Sequence, residues 1–561
     1  MRSSIIGRLS LTLAAALAAA HVVAAQQAAA PRFSPQDPIL RAVDRGVDAG
    51  AISRDPLGNY ADFVLNTFFS PGEKADGRAA LNVNTLDEVP DSSWFTNRSA
   101  MSLDEIVRGP ARSARLDVRE WVIIEGKDSG KQPGFRAIDA ADPSRQVYQL
   151  EFDPIGNPEL ATGAEIIGTA IYHALGYNVV DVYLVDLEKA SLRIAPDATI
   201  KTNGRARPFT QHDLRALLRN VARQPDGRYR ALASRFAEGK NLGPFRYSGI
   251  RPDDPNDLVP HEHRRELRAN RVFCAWLNHD DSRAINTLDM LVGAPGHHSV
   301  RHHMFDFGSM LGSGTDGSDL PWVGHEYVME GQPAVQSLLS LGLYRRPFMS
   351  VKAPHSLRAA GNFTADRFEP AAWKPHYPNP AFSNMQPADA FWAARKLAPF
   401  TPEVIAAIVA KARYSDRRVS DHMIATLQRR RDQVLRTWLT AINPIAEPRI
   451  VDGELHFTNA AIDAGHASAT ARYELSWFHY DNSRGLRSFG PSEIVAMPRG
   501  VVPEAAFTAR DYAGVEIRTR HADFPNWQAA VRVYFRREAA GWTTVGIERT
   551  ARDASAWRLG R

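Results

Sequence analysis

Residues Arg271–Leu311 read RVFCAWLNHDDSRAINTLDMLVGAPGHHSVRHHMFDFGSML, and the fold turns on them. An apolar helix through Val272, Phe273, Trp276 and Leu277 leads into His279-Asp280-Asp281-Ser282-Arg283-Ala284-Ile285-Asn286. Thr287 to Val292 and Ser299 to Phe305 flank a Gly-Ala-Pro-Gly turn, which predicts a hairpin, and Asp306-Phe307-Gly308 follows it. A carboxylate, an amide and a second carboxylate thus stand at the ends of short elements. Phosphoryl transfer asks for that set: one group to orient a nucleophile and two oxygen ligands for magnesium.

Upstream, Trp121 to Ile124 reads as a strand, followed by a glycine-bearing turn from Glu125 to Gly134 and a short strand from Phe135 to Ile138. Tyr148 to Phe152 alternates apolar and polar residues, the period of a half-buried strand. A helix is expected next, capped by Asn157 with Pro158 at its first position, burying Ile166, Ile167, Ala170, Ile171, Ala174 and Leu175 and ending at Gly176. Val179 to Leu187 is another strand, and residues 200–260 read as an insertion with a helix from Gln211 to Arg223. A long helix from His261 to Asn278 enters the opening stretch. Beyond it come a Gly/Ser/Asp-rich loop, Gly312 to Asp319, an irregular Pro- and aromatic-rich segment at 341–395, and helices from Thr401-Pro402-Glu403 and from Ser420 to Leu439. Asn443 to Pro448 reads as a linker. After it, Tyr473, Leu475 and Trp477 alternate with polar residues, as do Val515 and Ile517 and then Val531, Val533 and Phe535, predicting a small antiparallel sandwich.

At the N-terminus, Arg2 and Arg8 precede a short apolar run from Leu9 to Ala20 and small residues at Val23-Ala24-Ala25, the pattern of a signal peptide over 1–25. The expectation is an exported protein, periplasmic or secreted, with no transmembrane anchor, because no run approaches the length a bilayer needs. Residues 26–115 read as an N-terminal strap or extension. The net charge of +5 over 561 residues makes no case for nucleic acid, and Arg429-Arg430-Arg431 reads as a solvated helix face. Cys274 is the only cysteine, so no intramolecular disulfide can form, and its apolar neighbours predict a buried inert thiol.

His279-x-Asp281-x-x-x-x-Asn286 followed by Asp306-Phe307-Gly308 resembles the catalytic loop and metal-binding motif of the protein-kinase-like superfamily. The likeness is to its divergent branches: HipA-like, spore-coat CotH, secretory-pathway and phosphatidylinositol kinases. It covers roughly residues 120–440. It implies a two-lobed kinase-like domain over 116–443, the first lobe about 116–190 and the second about 191–443; the β-sandwich-like domain read from strand alternation over 449–561 takes no part in the resemblance and completes an α+β chain. By the same resemblance Asp281, with His279 beside it, is catalytic and orients a substrate hydroxyl. Asn286 and Asp306 hold Mg²⁺ against the phosphates of ATP, and Glu165 takes the position of the glutamate on the helix after the third strand. The pattern departs in two places. Glu151 stands where the third strand carries a phosphate-binding lysine, which leaves Lys131 or Lys127 of the turn as substitutes. The turn itself spaces Gly126, Gly130 and Gly134 as G-x-x-x-G, with Gly130 and Gly134 as the nucleotide-side glycines.

Two other functions compete with an ATP-dependent phosphotransferase acting on an unknown protein or small-molecule acceptor. The missing lysine favours a non-catalytic kinase fold serving as a binding module. The crowd of His279, Asp280, Asp281, His297, His298, His302, His303 and Asp306 suggests a metal-dependent hydrolase. Against the latter, His302 and His303 are adjacent on a strand and point to opposite faces, and solvent-facing histidines are the expectation, including His261 and His263.

Overall fold

The computed structural model describes residues 31–40, 46–55, 60, 63–69, 77–98, 101–113, 115–127, 130–341, 343–344, 346–351, 354, 356–504, 511–539 and 541–550. The expected signal segment 1–25 lies outside them. The chain is a mixed α+β protein with several sheets.

Strands β1 (Trp121–Gly126), β2 (Gly134–Asp139), β3 (Val147–Phe152), β4 (Val182–Leu187), β5 (Leu192–Thr202), β6 (Arg205–Pro208) and β7 (Tyr229–Arg235) form one sheet. Their order is β4-β7-β3-β2-β1-β5-β6, with every neighbour antiparallel except β1 and β5. A lobe boundary near residue 190 would therefore cut through this sheet. Residues 200–260 are not a helix with loops alone: β7 inserts between β3 and β4, pairing Glu151 with Leu232 and Val185 with Ala231. The apolar run of β7, buried from Tyr229 to Ala233, suits a strand with neighbours on both edges. The helix in this segment is shorter than expected, Gln211–Arg219, capped by the Thr210 hydroxyl on the Asp213 amide.

Helix α1 (Leu160–Leu175) joins β3 to β4 and is buried on nearly every side. Its cap differs from the expectation. Asp153, at the end of β3, accepts from the Glu159 amide at 2.9 Å and the Thr162 amide at 3.0 Å, while Asn157 donates instead to the Asp316 carbonyl at 2.8 Å. A carboxylate can satisfy two orphan amides at once, which is why it displaces the amide side chain here. Gly176, with φ 116°, ends the helix as expected.

A helical body follows, built on α2 (Arg265–Leu277), α3 (Pro387–Leu397), α4 (Pro402–Ala410) and α5 (Arg417–Leu439). Their apolar faces share one core with α1, including Trp276, Phe307, Trp392, Leu427 and Trp438. Cys274 is buried there as expected, and burial pushes its thiol up to about 12. The expected solvated arginine face is only partly one. Arg430 is buried and donates to the carbonyls of Trp276, Thr364 and Ala275, with Phe368 3.7 Å from its guanidinium. Strands β8 (Lys240–Gly243), β9 (Thr287–Val292) and β10 (Ser299–Met304) form a second sheet in the order β10-β9-β8.

The C-terminal region begins earlier than expected, because Ile445–Val451 is a strand and not a linker. It pairs with Glu454–Asn459, and that strand with Arg499–Val501. A five-stranded antiparallel sheet (Arg472–Asp481, Leu486–Val495, Tyr512–Arg520, Val531–Glu538, Gly541–Arg549) encloses one apolar core with it, through Leu455, Leu475, Val515, Val533 and Phe535. The N-terminal residues run across all of this. Phe33 enters an aromatic cluster with Tyr480, Tyr512 and Tyr534, the Ala49 amide donates to the His298 carbonyl at 2.9 Å, and the Ile547 amide to the Thr85 carbonyl at 2.7 Å. Asp87 binds Arg265 of α2 at 2.6 Å and Arg549 at 3.0 Å. Among the described residues no helix is long and apolar enough to cross a membrane.

Candidate functional site

The register of the β9–β10 hairpin decides where the carboxylates go. Thr287 pairs with Met304 as the last rung, and the Phe305 amide reaches the Asn286 carbonyl at 3.4 Å. Asn286 and Asp306 therefore leave the same end of the hairpin. The Asn286 amide nitrogen donates to the Asp281 carbonyl at 2.7 Å, which leaves its oxygen free to accept and holds the loop from Asp281 to Asn286 as a closed turn.

Asp281 is ion-paired through Arg283, whose guanidinium also lies 5.4 Å from the Tyr377 ring centroid. Burial would raise its pKa, but His376, Arg283 and Asn286 outweigh that and hold the carboxyl well below the usual range. Asp281 is an ionised acceptor at any physiological pH. Its neighbour Asp280 is fully buried and faces His376, with Nε2 2.6 Å from the carboxylate and the His376 amide donating to the Asp280 carbonyl at 2.9 Å. Burial disfavours an imidazolium, yet Asp280 and Asp281 together raise His376 to about 9.

Asp306 sits at φ 64°, a left-handed conformation that aspartate tolerates better than most residues. Its side chain is open to solvent but lies deep in a cleft, ringed by protein. Desolvation, then Glu151 and Asp281, raise its pKa to about 6 against the opposing pull of Lys127 and Arg283. Electrostatically, Asp281, Asp306, Glu151, Glu165 and Lys127 form one group.

Glu165, on α1, does not meet a lysine. Burial first, then Asp306 and Glu151, push its pKa well above the carboxylate range, while the amides of Phe307 and Gly308 donate to it. It ties α1 to the segment carrying Asp306. Gly168, one turn on, makes that approach possible: a Cβ there would lie 2.7 Å from Phe307 Cβ. Thr162 donates its hydroxyl to Asp153, so Thr162 and Glu165 do not form a capping box.

The cations divide differently from the sequence expectation. Lys127 binds Glu151 at 2.5 Å and faces Asp306. Lys131 instead reaches out of the cleft to the Gly314 carbonyl and Asp316, both at 3.2 Å. Its position on the exposed side of the turn explains the difference. Gly130, at φ 83°, shapes the turn, with Lys127 folded over it. Gly134 is no part of a cradle: a Cβ there would lie 2.4 Å from the Leu150 carbonyl, so it serves the close pairing of β2 and β3. His279 is buried, with Nδ1 3.3 Å from the Ser309 carbonyl and its ring packed near Phe307 and Tyr172. Its ring is thereby tied to the backbone after Asp306.

The histidine crowd disperses, and most of it is buried rather than solvent-facing. His302 binds Asp289 at 2.6 Å and stacks on Trp94 at 3.5 Å, His261 binds Asp257 at 2.7 Å, and His303 faces away, lowered to about 4 by burial. His298 pairs with Asp48. Among the described residues no three His, Cys, Asp or Glu side chains converge to hold a metal ion. Four residues that sequence reasoning missed complete the site: Arg283, His376, Asp319 and Gln132. Gln132 is buried, its side-chain oxygen 3.5 Å from where a Cβ of Gly308 would lie. Asp319 is buried near Asp280 and His376, and burial with the Asp280 charge raises its pKa well above the usual value. A histidine between prolines, Pro375-His376-Tyr377-Pro378, was the one visible signal. Compared with protein-family models, curated proteins and solved structures, the chain matches none.

Proposed function

We propose that this chain is an exported, atypical kinase-like protein that binds a Mg²⁺-nucleotide and transfers a phosphoryl group to a hydroxyl acceptor. The observation that carries the reading is the meeting of Asp281, Asn286 and Asp306 at one end of the β9–β10 hairpin, with Glu165 anchoring the backbone after Asp306. The sheet supports it, since β1-β2-β3-β7-β4 with a helix between β3 and β4 suits the upper lobe of such a domain.

The residues fit a magnesium ion carried in with phosphates. Asn286 and Asp306 offer hard oxygen donors, and the raised pKa of Asp306 marks a carboxylate short of positive charge. With only two protein ligands, the remaining coordination falls to phosphate and water, the usual pattern for Mg²⁺. When bound, the ion screens the charge on the transferring phosphoryl group. Asp281, kept ionised, accepts the hydrogen bond of the acceptor hydroxyl and orients it. Arg283 stands beside it, and Lys127 is the cation nearest the phosphate side.

Calorimetry with Mg-ATP on the full chain tests the reading. Wild type binds and Asp306→Ala does not, whereas no binding with Mg²⁺ or Mn²⁺ ends the proposal. Asp281→Asn keeps binding but lowers phosphoryl transfer or ATP hydrolysis by about 10²–10⁴-fold. A specific observation favours a second reading, a non-catalytic binding module: the charge of Lys127 is already matched by Glu151. On that reading Asp281→Asn changes nothing measurable.

A further inference from the structure

One residue removed from the candidate base, across His376, lies a cavity of about 590 Å³, within the size range of pockets for small ligands. Trp322, Phe348, Phe368 and Trp373 line it, with His325 stacked on Phe348 at 5.5 Å. Trp322 also lies 5.3 Å from the ring of His376, the residue facing Asp280 and Asp281. Asp281 itself does not line the cavity: the two are linked through Trp322 and His376, and a ring bound there reaches Asp281 by presenting a hydroxyl past them.

Its chemistry is specific. Of the charged groups in the walls, Arg346 pairs with Glu326, Arg430 with three carbonyls and Asp366 with Arg429, while Arg367 and Glu369, opposite in charge, are solvent-exposed. Burial lowers His325 to about 4, so its ring is neutral near pH 7. The buried charged group that remains is Asp319, whose Oδ2 makes no hydrogen bond among the described residues. A buried carboxyl without a partner is costly unless something completes it. Flat aromatic walls with one unsatisfied hydrogen-bonding group suit a ring whose faces are apolar and whose edge carries hydroxyls.

We propose that this cavity binds a small, neutral, hydroxyl-bearing ring compound, a polyol or glycoside, held between the aromatic walls and Asp319. Resting on the kinase-like reading, this compound is the acceptor. One of its hydroxyl oxygens forms the new P–O bond, the bond between the γ-phosphorus and the β–γ bridging oxygen breaks, the hydroxyl proton passes to Asp281, and the nucleoside diphosphate leaves. The acceptor is then a small molecule and not a protein side chain.

Saturation-transfer NMR on the full chain with methyl β-glucoside, phenyl β-glucoside and myo-inositol tests this, with glucuronate as the charged control. At least one neutral compound binds, phenyl β-glucoside the most tightly, and glucuronate does not. Trp322→Ala weakens binding about tenfold. Asp319→Leu removes the polar partner and weakens it about fivefold, while raising thermal stability because a buried unpartnered carboxyl is gone. A purely structural Asp319 would lose stability and leave binding alone. Failure of every neutral compound to bind, equal binding of glucuronate, or binding unchanged in both variants overturns the proposal. Mg-ATP binding is read on the same samples: if it is absent while the ring compounds bind, the acceptor role is overturned and the ligand site stands.

Discussion

The two walls of the cleft solve the same electrostatic problem with different cations. On the sheet side, Glu151 occupies the β3 position and Lys127 reaches it from the neighbouring turn at 2.5 Å. On the hairpin side, Asp280 adds a carboxylate next to Asp281, and His376 reaches it at 2.6 Å from a segment almost a hundred residues further along the chain. In each case an extra acid has been matched by a base from another element. The walls differ in what the match leaves over. Lys127 is spent on one carboxylate, so the sheet wall is close to neutral. His376 is shared by two carboxylates, with Arg283 added, and Asp281 stays ionised. The hairpin wall is built to present charge, and the sheet wall to hold a cation in reserve.

The most severe way to break this comparison is to remove that reserve. Lys127→Ala leaves Glu151 and Asp306 facing each other with only Arg283 to offset them, and Mg-nucleotide affinity should fall by about 10²-fold by calorimetry. Glu151→Gln should do the reverse, freeing Lys127 for phosphate and tightening binding about fivefold; an unchanged constant would mean that Lys127 never faces the nucleotide. Next in size, Gly168→Ala puts a Cβ 2.7 Å from Phe307 Cβ and should cost about 1–3 kcal/mol in urea unfolding. Because α1 carries Glu165, this change should disturb both walls together.

His376→Gln sharpens the contrast through pH. The folded pKa is about 9 against an unfolded value of 6.5, so the stability from His376 is fully present below about pH 6.5 and is lost as pH rises through 9. Wild type should lose on the order of 3 kcal/mol across that window, and the variant should show a flatter profile. A fall of equal depth in His376→Gln would remove the imidazolium from the account. The smallest effect belongs to Lys131→Ala, which breaks an exposed pair with Asp316 and should cost under about 1 kcal/mol. Its readout is faster amide exchange in the turn and in the Gly312–Asp319 loop.

How much of this was legible depended on the range of the forces involved. Alternation in Tyr473-Leu475-Trp477 and Val531-Val533-Phe535 shows a sheet face directly, because burial there follows the pleat. The spacing of Asn286 and Asp306 was readable for a related reason: a hairpin of fixed register separates them, with Asp281 one closed turn before it. Strand β7 was not legible, since a short buried run such as Ala231-Leu232-Ala233 has no period to betray it. His376, Asp319 and the inward turn of Arg430 also escaped, each being defined by groups from distant segments. The partner of Glu151 was within reach, twenty-four residues upstream on the adjoining turn, but choosing Lys127 over Lys131 needed the direction each side chain takes.

Phe33 packs into the aromatic cluster of the C-terminal sheet, and its amide and carbonyl are both held by Asn482, at 2.9 and 2.8 Å. Those partners are made more than 440 residues after Phe33 itself. As the chain is synthesised, the Phe33 end of its N-terminal strap has nowhere to dock until the last strands exist, although Ala49 and Asp87 find partners on the hairpin and α2 earlier, so closure of that end is a late and long-range event. Folding of this protein should be slow, governed by loop-closure entropy over nearly the whole chain, and the strap is the part a chaperone would find waiting.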